Sequence, residues 1–168
     1  MAIMAKDSGG AFTPAPEGLH RAVCVDVIDR GILPGFQGKE THKIDIIWQI
    51  EARDEDTENN ERFRVLKRYS LSLNEKSNLS KDLEAWRGCA FAPEERSGGF
   101  DVELIIGANC QLQINHDIRD NGRVWANVRA IVPARDGEQK GENGALTPES
   151  YTRFKDRGDA DGNSDAAF

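Results

Sequence analysis

The stretch "RFRVLKRYSLSLNEKSNLSKDLEAWRG" (62–88) changes its period part-way along. Up to Leu73 the large apolar residues fall on odd positions: Phe63, Val65, Tyr69, Leu71 and Leu73. A period of two belongs to a strand with one buried face. From Leu79 the spacing turns helical, with Leu79, Leu83 and Trp86 on one stripe. Ser77 or Asn78 suits the helix start, and Gly88 suits its stop. The switch predicts a strand over 62–73 and a helix over 74–88.

Upstream, "LHRAVCVDVIDRG" (19–31) alternates, placing Val23, Val25 and Val27 on one face. A loop follows, with Pro34, Gly35 and Gly38, and then "THKIDIIWQIEA" (41–52) alternates again. Ile44, Ile46, Trp48 and Ile50 share its apolar side. The acidic run "RDEDTENNE" (53–61) forms the turn into the next strand. Downstream, "FAPEERSGGFDVELIIG" (91–107) predicts one or two short helical turns, with Pro93 at a first helical position. "NCQLQINHDI" (109–118) and "RVWANVRAIVP" (123–133) are strands, joined at the tight-turn signal Asp120-Asn121-Gly122. Three strands, a helical insert and two further strands give the order of an OB-fold. The expected fold class is mainly β, a five-stranded Greek-key barrel with its helix between strands three and four.

Outside this body the pattern dissolves. Residues 1–18 read as a flexible arm, and 19–135 as the folded domain. Residues 136–168 are polar, Gly-rich and without period, which predicts a disordered acidic tail. The net charge is −7, unevenly spread. The first 135 residues carry 18 Lys and Arg against 21 Asp and Glu, and the last 33 carry 4 against 8. Local fields therefore matter more than the total. Neither a membrane-length apolar run nor a secretory leader is visible, so the expected place is a bacterial cytoplasm. Cys24, Cys89 and Cys110 lack CxxC spacing and read as reduced thiols, and no His/Cys cluster predicts a metal. Without a phosphate loop or nucleophile elbow, neither enzymatic activity nor a cofactor is expected.

The segments "YSLSLNEKSNLSKDLEAWRGCAFAPEE", "GFDVELIIGANCQLQI" and "GRVWANVRAIVP" resemble a group of bacteriophage and prophage OB-fold proteins regarded as single-stranded DNA-binding. The resemblance covers roughly residues 15–135 and implies a role in replication or recombination. The tail is similar to that of bacterial single-stranded DNA-binding proteins, which is acidic and closes on phenylalanine. This likeness implies a handle for host or phage replication proteins, with Phe168 entering an apolar pocket and Asp159, Asp161 and Asp165 adding attraction.

A single-strand binder needs cations that follow phosphates and rings on which bases stack. Arg62, Arg64 and Arg68 lie on the outer parity of strand three, and Lys43 on that of strand two. Lys67 has the core-facing parity and is expected to snorkel or to sit at a bulge. Trp125 shares its parity with Arg123 and Arg129, opposite the small residues of strand five. Phe36 sits between glycines in the loop joining strands one and two. The expected DNA-binding set is thus Phe36, Lys43, Arg62, Arg64, Lys67, Arg68, Arg123, Trp125 and Arg129. An edge strand or the arm offers a route to a homodimer. The competing expectation is an OB-fold protein-interaction module that binds a host replication or defence protein.

Overall fold

The computed structural model describes residues 13–135 and 144–157. It is mainly β, with strands β1 (Gly18–Pro34), β2 (Glu40–Arg53), β3 (Arg62–Ser70), β4 (Asn109–Ile118) and β5 (Val124–Pro133). Between β3 and β4 lie helices α1 (Asn78–Arg87) and α2 (Pro93–Gly98). The strands form one antiparallel sheet in the order β3-β2-β1-β4-β5. No helix among the described residues is long and apolar enough to cross a membrane.

β1 runs for 17 residues because it serves two neighbours. Gly18–Val23 pair with β4, while Ala22–Pro34 pair with β2. Its register against β2 slips between Cys24 and Asp26, and again between Asp29 and Gly31. Such bulges bend a strand and increase its twist. They also break the alternation expected of Val23, Val25 and Val27. Ala22, Cys24 and Val27 join the main core, whereas Val23 and Val25 are buried outside it. Across from Val23 stands Gln49, which holds the segment 144–157. One face of β1 therefore packs on the core and the other under a strap.

The core follows the expected pattern elsewhere. Ile44, Ile46, Trp48 and Ile50 come from β2, Val65 and Tyr69 from β3, and Cys110, Leu112 and Ile114 from β4. β3 stops at Ser70, so Leu71 is exposed while Leu73 still packs against the core. α1 begins at Ser77, whose hydroxyl accepts from the Ser80 N–H at 3.1 Å. It ends at Gly88 with φ +77°, a left-handed conformation that costs glycine nothing. Leu79, Leu83 and Trp86 face inward, and the Trp86 ring lies 5.9 Å from that of Trp48. The Trp86 indole N–H donates to the Asn109 carbonyl at 2.8 Å, tying the helix to the start of β4.

Two segments outside the expected domain pack on it. Ala15 is buried, its carbonyl 2.6 Å from the His116 Nε2, and the Glu17 carboxylate accepts from the His116 N–H. The arm is therefore anchored from Thr13 onward. Residues 144–157, expected to be disordered, instead form a strap across the sheet. The reason is a set of polar side chains on the sheet face that need partners. Asn109, Gln49 and Asp26 are all nearly fully buried. Asn109 and Leu146 exchange two hydrogen bonds, of 2.9 and 2.8 Å, and Gln49 and Glu149 exchange two of 2.7 and 2.9 Å. Each amide imitates a strand neighbour for one residue of the strap. Asp26 accepts from the Tyr151 hydroxyl, Arg153 Nε and the Phe154 N–H, at 2.8, 3.0 and 2.8 Å.

Candidate nucleic-acid interface

β3 and β5 are the outer strands of the sheet order, yet they approach each other. Between them lies a groove of about 880 Å³. α1 packs against both strands beside it. β3 contributes Arg62, Arg64, Lys67 and Arg68, β5 contributes Trp125 and Arg129, and the β4–β5 turn contributes Arg119. Asp54 and Glu61 are the acidic side chains of the lining. Six of the expected residues thus share one trough. Trp125 is 42% exposed, and the Arg119 guanidinium stands 4.9 Å from its ring centroid. A half-open ring backed by a cation is the geometry on which a base can stack.

The cations are not all free. The Arg68 guanidinium forks onto Asp45 at 2.7 and 3.0 Å, and Arg30 reaches the same carboxylate at 2.7 Å. Asp45 is wholly buried on the face between β1 and β3, so it needs both guanidinium groups. Burial pushes its carboxyl pKa up, but the donors from Arg68 and Arg30 outweigh that and hold it below the ordinary carboxylate range. The trio keeps one net positive charge, and the Arg68 side chain is half exposed. Lys67, on the core-facing parity, reaches α1 rather than open water. Its ammonium lies 2.8 Å from Asp82 on α1, which also accepts from the Tyr69 hydroxyl. Arg62 donates to the Thr147 carbonyl and lies 3.3 Å from Glu149, which Arg53 grips with two further bonds. Arg62, Lys67 and Arg68, expected to be open to phosphate, are thus each held by a carboxylate. The nearby acidic run does not do this. Among the described residues, none of the carboxylates from Asp54 to Glu61 forms an ion pair with β3.

Arg64 and Arg129 are exposed and have no carboxylate within ion-pair distance among the described residues. Arg64 rests over the Tyr151 ring at 5.0 Å, with a weak 3.5 Å bond to the Ser150 carbonyl. Arg123 lies exposed in the turn before β5 and does not line the groove. Lys43 donates to the Ser70 hydroxyl at 2.7 Å on the outer face of β2 and β3. Phe36 is 87% exposed at a single 3-10 turn, Phe36–Gly38, and stands apart from the groove lining. Gly35 sets that turn: its N–H donates to the Lys39 carbonyl oxygen, which a Cβ would meet at 2.7 Å. Phe36 and Trp125 are therefore both presented to solvent but not brought together. Asp159, Asp161, Asp165 and Phe168 lie outside the described residues.

No protein-family model matches the chain, and no curated protein shows significant similarity to it.

The sequence reading missed the strap. Its signal was present in "SYTRFKDR" (150–157), where two aromatic residues alternate with three cations and a single acid. That run differs in composition from the acidic, Gly-rich residues around it.

Proposed function

We propose that the protein binds single-stranded DNA, largely without regard to sequence, in phage replication or recombination, and that its sheet is an OB-fold barrel. The observation that carries this reading is the groove between β3 and β5. It sets an exposed tryptophan among six cations and two acids in a chain whose net charge is negative. The topology supports the barrel: β1 is shared between β2 and β4, β3 faces β5, and the helical insert sits between β3 and β4. Arg129, Arg119 and Arg64 follow the phosphates first, and the exposed Arg68 adds a further donor. Bases stack on Trp125. Residues 158–168, with Asp159, Asp161, Asp165 and Phe168, would recruit partner proteins.

The test is fluorescence anisotropy of a labelled oligothymidine at about 50 and 200 mM salt. Affinity should fall steeply with salt, because cations that replace counterions are the main source of binding. Trp125→Ala should weaken binding by about 1–3 kcal/mol, the worth of one stacked base. Its melting temperature should stay close to that of the unmodified protein, because the ring is half exposed. Equal affinity in the two proteins removes Trp125 from the interface.

A second reading has its own observation. Leu83, Trp86, Phe91, Phe100, Leu104 and Ile105 line an apolar hollow of about 360 Å³, and Leu104 is 70% exposed. Such a hollow suits a protein-interaction module. No binding of the oligonucleotide at about 50 mM salt favours it.

A further inference from the structure

The strap carries a row of stacked groups that no part of the sequence reading assigned. Arg64 of β3 lies 5.0 Å from the Tyr151 ring, and Arg157 lies 5.6 Å from the same ring. Arg157 also stands 5.8 Å from the Phe154 ring, whose other guanidinium neighbour is Arg30 of β1, at 5.2 Å. The order is Arg64, Tyr151, Arg157, Phe154, Arg30. Cations and rings alternate across the outer face of the sheet from β3 to β1. Phe154 and Arg157 are exposed. Arg157 has no carboxylate within ion-pair distance among the described residues, and its Nε bonds only weakly to the Thr152 carbonyl, at 3.3 Å.

We propose that this ladder is a second contact surface for single-stranded nucleic acid, continuous with the groove through Arg64. The inference rests on the reading of the groove as a nucleic-acid site, and deepens it. Arg64 belongs to both features, since it lines the groove and forms the first rung. A strand leaving Trp125 along β3 meets the ladder next. Guanidinium planes and aromatic faces both accept stacked bases, and cations interleaved with them meet the phosphates in between. The ladder ends at Arg30 of β1, next to the Gly31–Lys43 pair and five residues before the loop that holds Phe36. It thereby reaches the neighbourhood of Lys43, an expected residue that the groove leaves apart. The buried anchors beneath the strap explain why the surface is pre-formed. Asp26 fixes Tyr151, Arg153 and Phe154 at once, so the rings are held in place before any ligand arrives.

The test uses the full chain and an oligothymidine of about 16 nucleotides, the upper site size for one such fold. Arg157→Gln removes an exposed charge and leaves the anchors intact. Phe154→Leu removes a ring and keeps the backbone bond to Asp26. Each should weaken binding about 5-fold or more, and Arg157→Gln should lower the salt slope by about one. Photo-crosslinking of a bromouracil-containing strand should label peptides carrying Tyr151 or Phe154. The unmodified protein failing to bind would sink the groove and the ladder together. Binding that Trp125→Ala weakens, but that neither strap variant changes, overturns the ladder alone. Tighter binding by Arg157→Gln also overturns it, by making the strap a cover.

Discussion

Trp86→Ala should lower the melting temperature by about 10 °C, the largest effect expected of any single change here. Emptying a buried aromatic site costs about 3–5 kcal/mol. In a chain of this length each kcal/mol moves the midpoint by about 2–4 °C. Three losses coincide at this residue. Its ring leaves the tilted contact with Trp48, its indole stops donating to the Asn109 carbonyl, and α1 loses the C-terminal end of its apolar stripe. The lost donor matters because Asn109 is nearly fully buried. Differential scanning calorimetry on Trp86→Ala and Trp125→Ala gives the comparison. The first should melt well below the second. Equal midpoints would show that α1 does not brace the β3–β5 region, and the groove would lose its rigid wall.

Asp26→Ala should cost about 3 kcal/mol, near the lower end for breaking a buried ion pair. The substitution leaves the Tyr151 hydroxyl, Arg153 Nε and the Phe154 N–H without their shared acceptor. The cost is capped because the strap has another option. It can lift into water, where those donors hydrate, and so expose Val23 and Val25 on β1. Limited trypsin digestion separates the two outcomes. Cleavage after Arg153, Lys155 or Arg157 should accelerate in the variant while the body survives. Unchanged digestion with an unchanged midpoint would mean that Asp26 does not hold the strap.

The same carboxylate gives the acid response its sign. Burial alone would raise the Asp26 pKa, but the bonds from Phe154, Tyr151 and Arg153 prevail and lower it. Asp45 behaves alike, with Arg68 and Arg30 prevailing. A carboxylate whose folded pKa lies below its unfolded value of about 3.9 adds stability above that pH. The contribution fades as pH falls through the lowered value. Denaturant midpoints should therefore hold steady near neutrality and fall below about pH 4. In Asp26→Ala the acid-side fall should be shallower. An equally steep fall would assign it to other carboxylates.

Much of the fold was legible because it depends on local pattern. The period change at residues 62–88 located β3 and α1, and the alternation of Ile44, Ile46, Trp48 and Ile50 located the buried face of β2. Lys67 on a core-facing parity left snorkelling or a bulge open, and its ion pair with Asp82 on α1 was not legible there. Within the interface, the outward parity of Trp125 and Arg129 also followed from alternation. The pairing of Arg68 with Asp45, and of Arg62 with Glu149, did not. Those partners stand 23 and 87 positions away along the chain, and no local rule brings them together.

What the sequence determined by itself was the set of elements, their order and the inward faces of β2 and α1, since side-chain periodicity and caps act over a few residues. Tertiary structure alone decided which cations stay open, that the bulges in β1 split Val23 and Val25 from the core, and that residues 144–157 lie on the sheet. The first and the last of these are set by buried polar groups seeking partners far along the chain. An unpaired Asp26, Gln49 or Asn109 would cost more than ordering a polar strap, and that balance exists only once the sheet has formed.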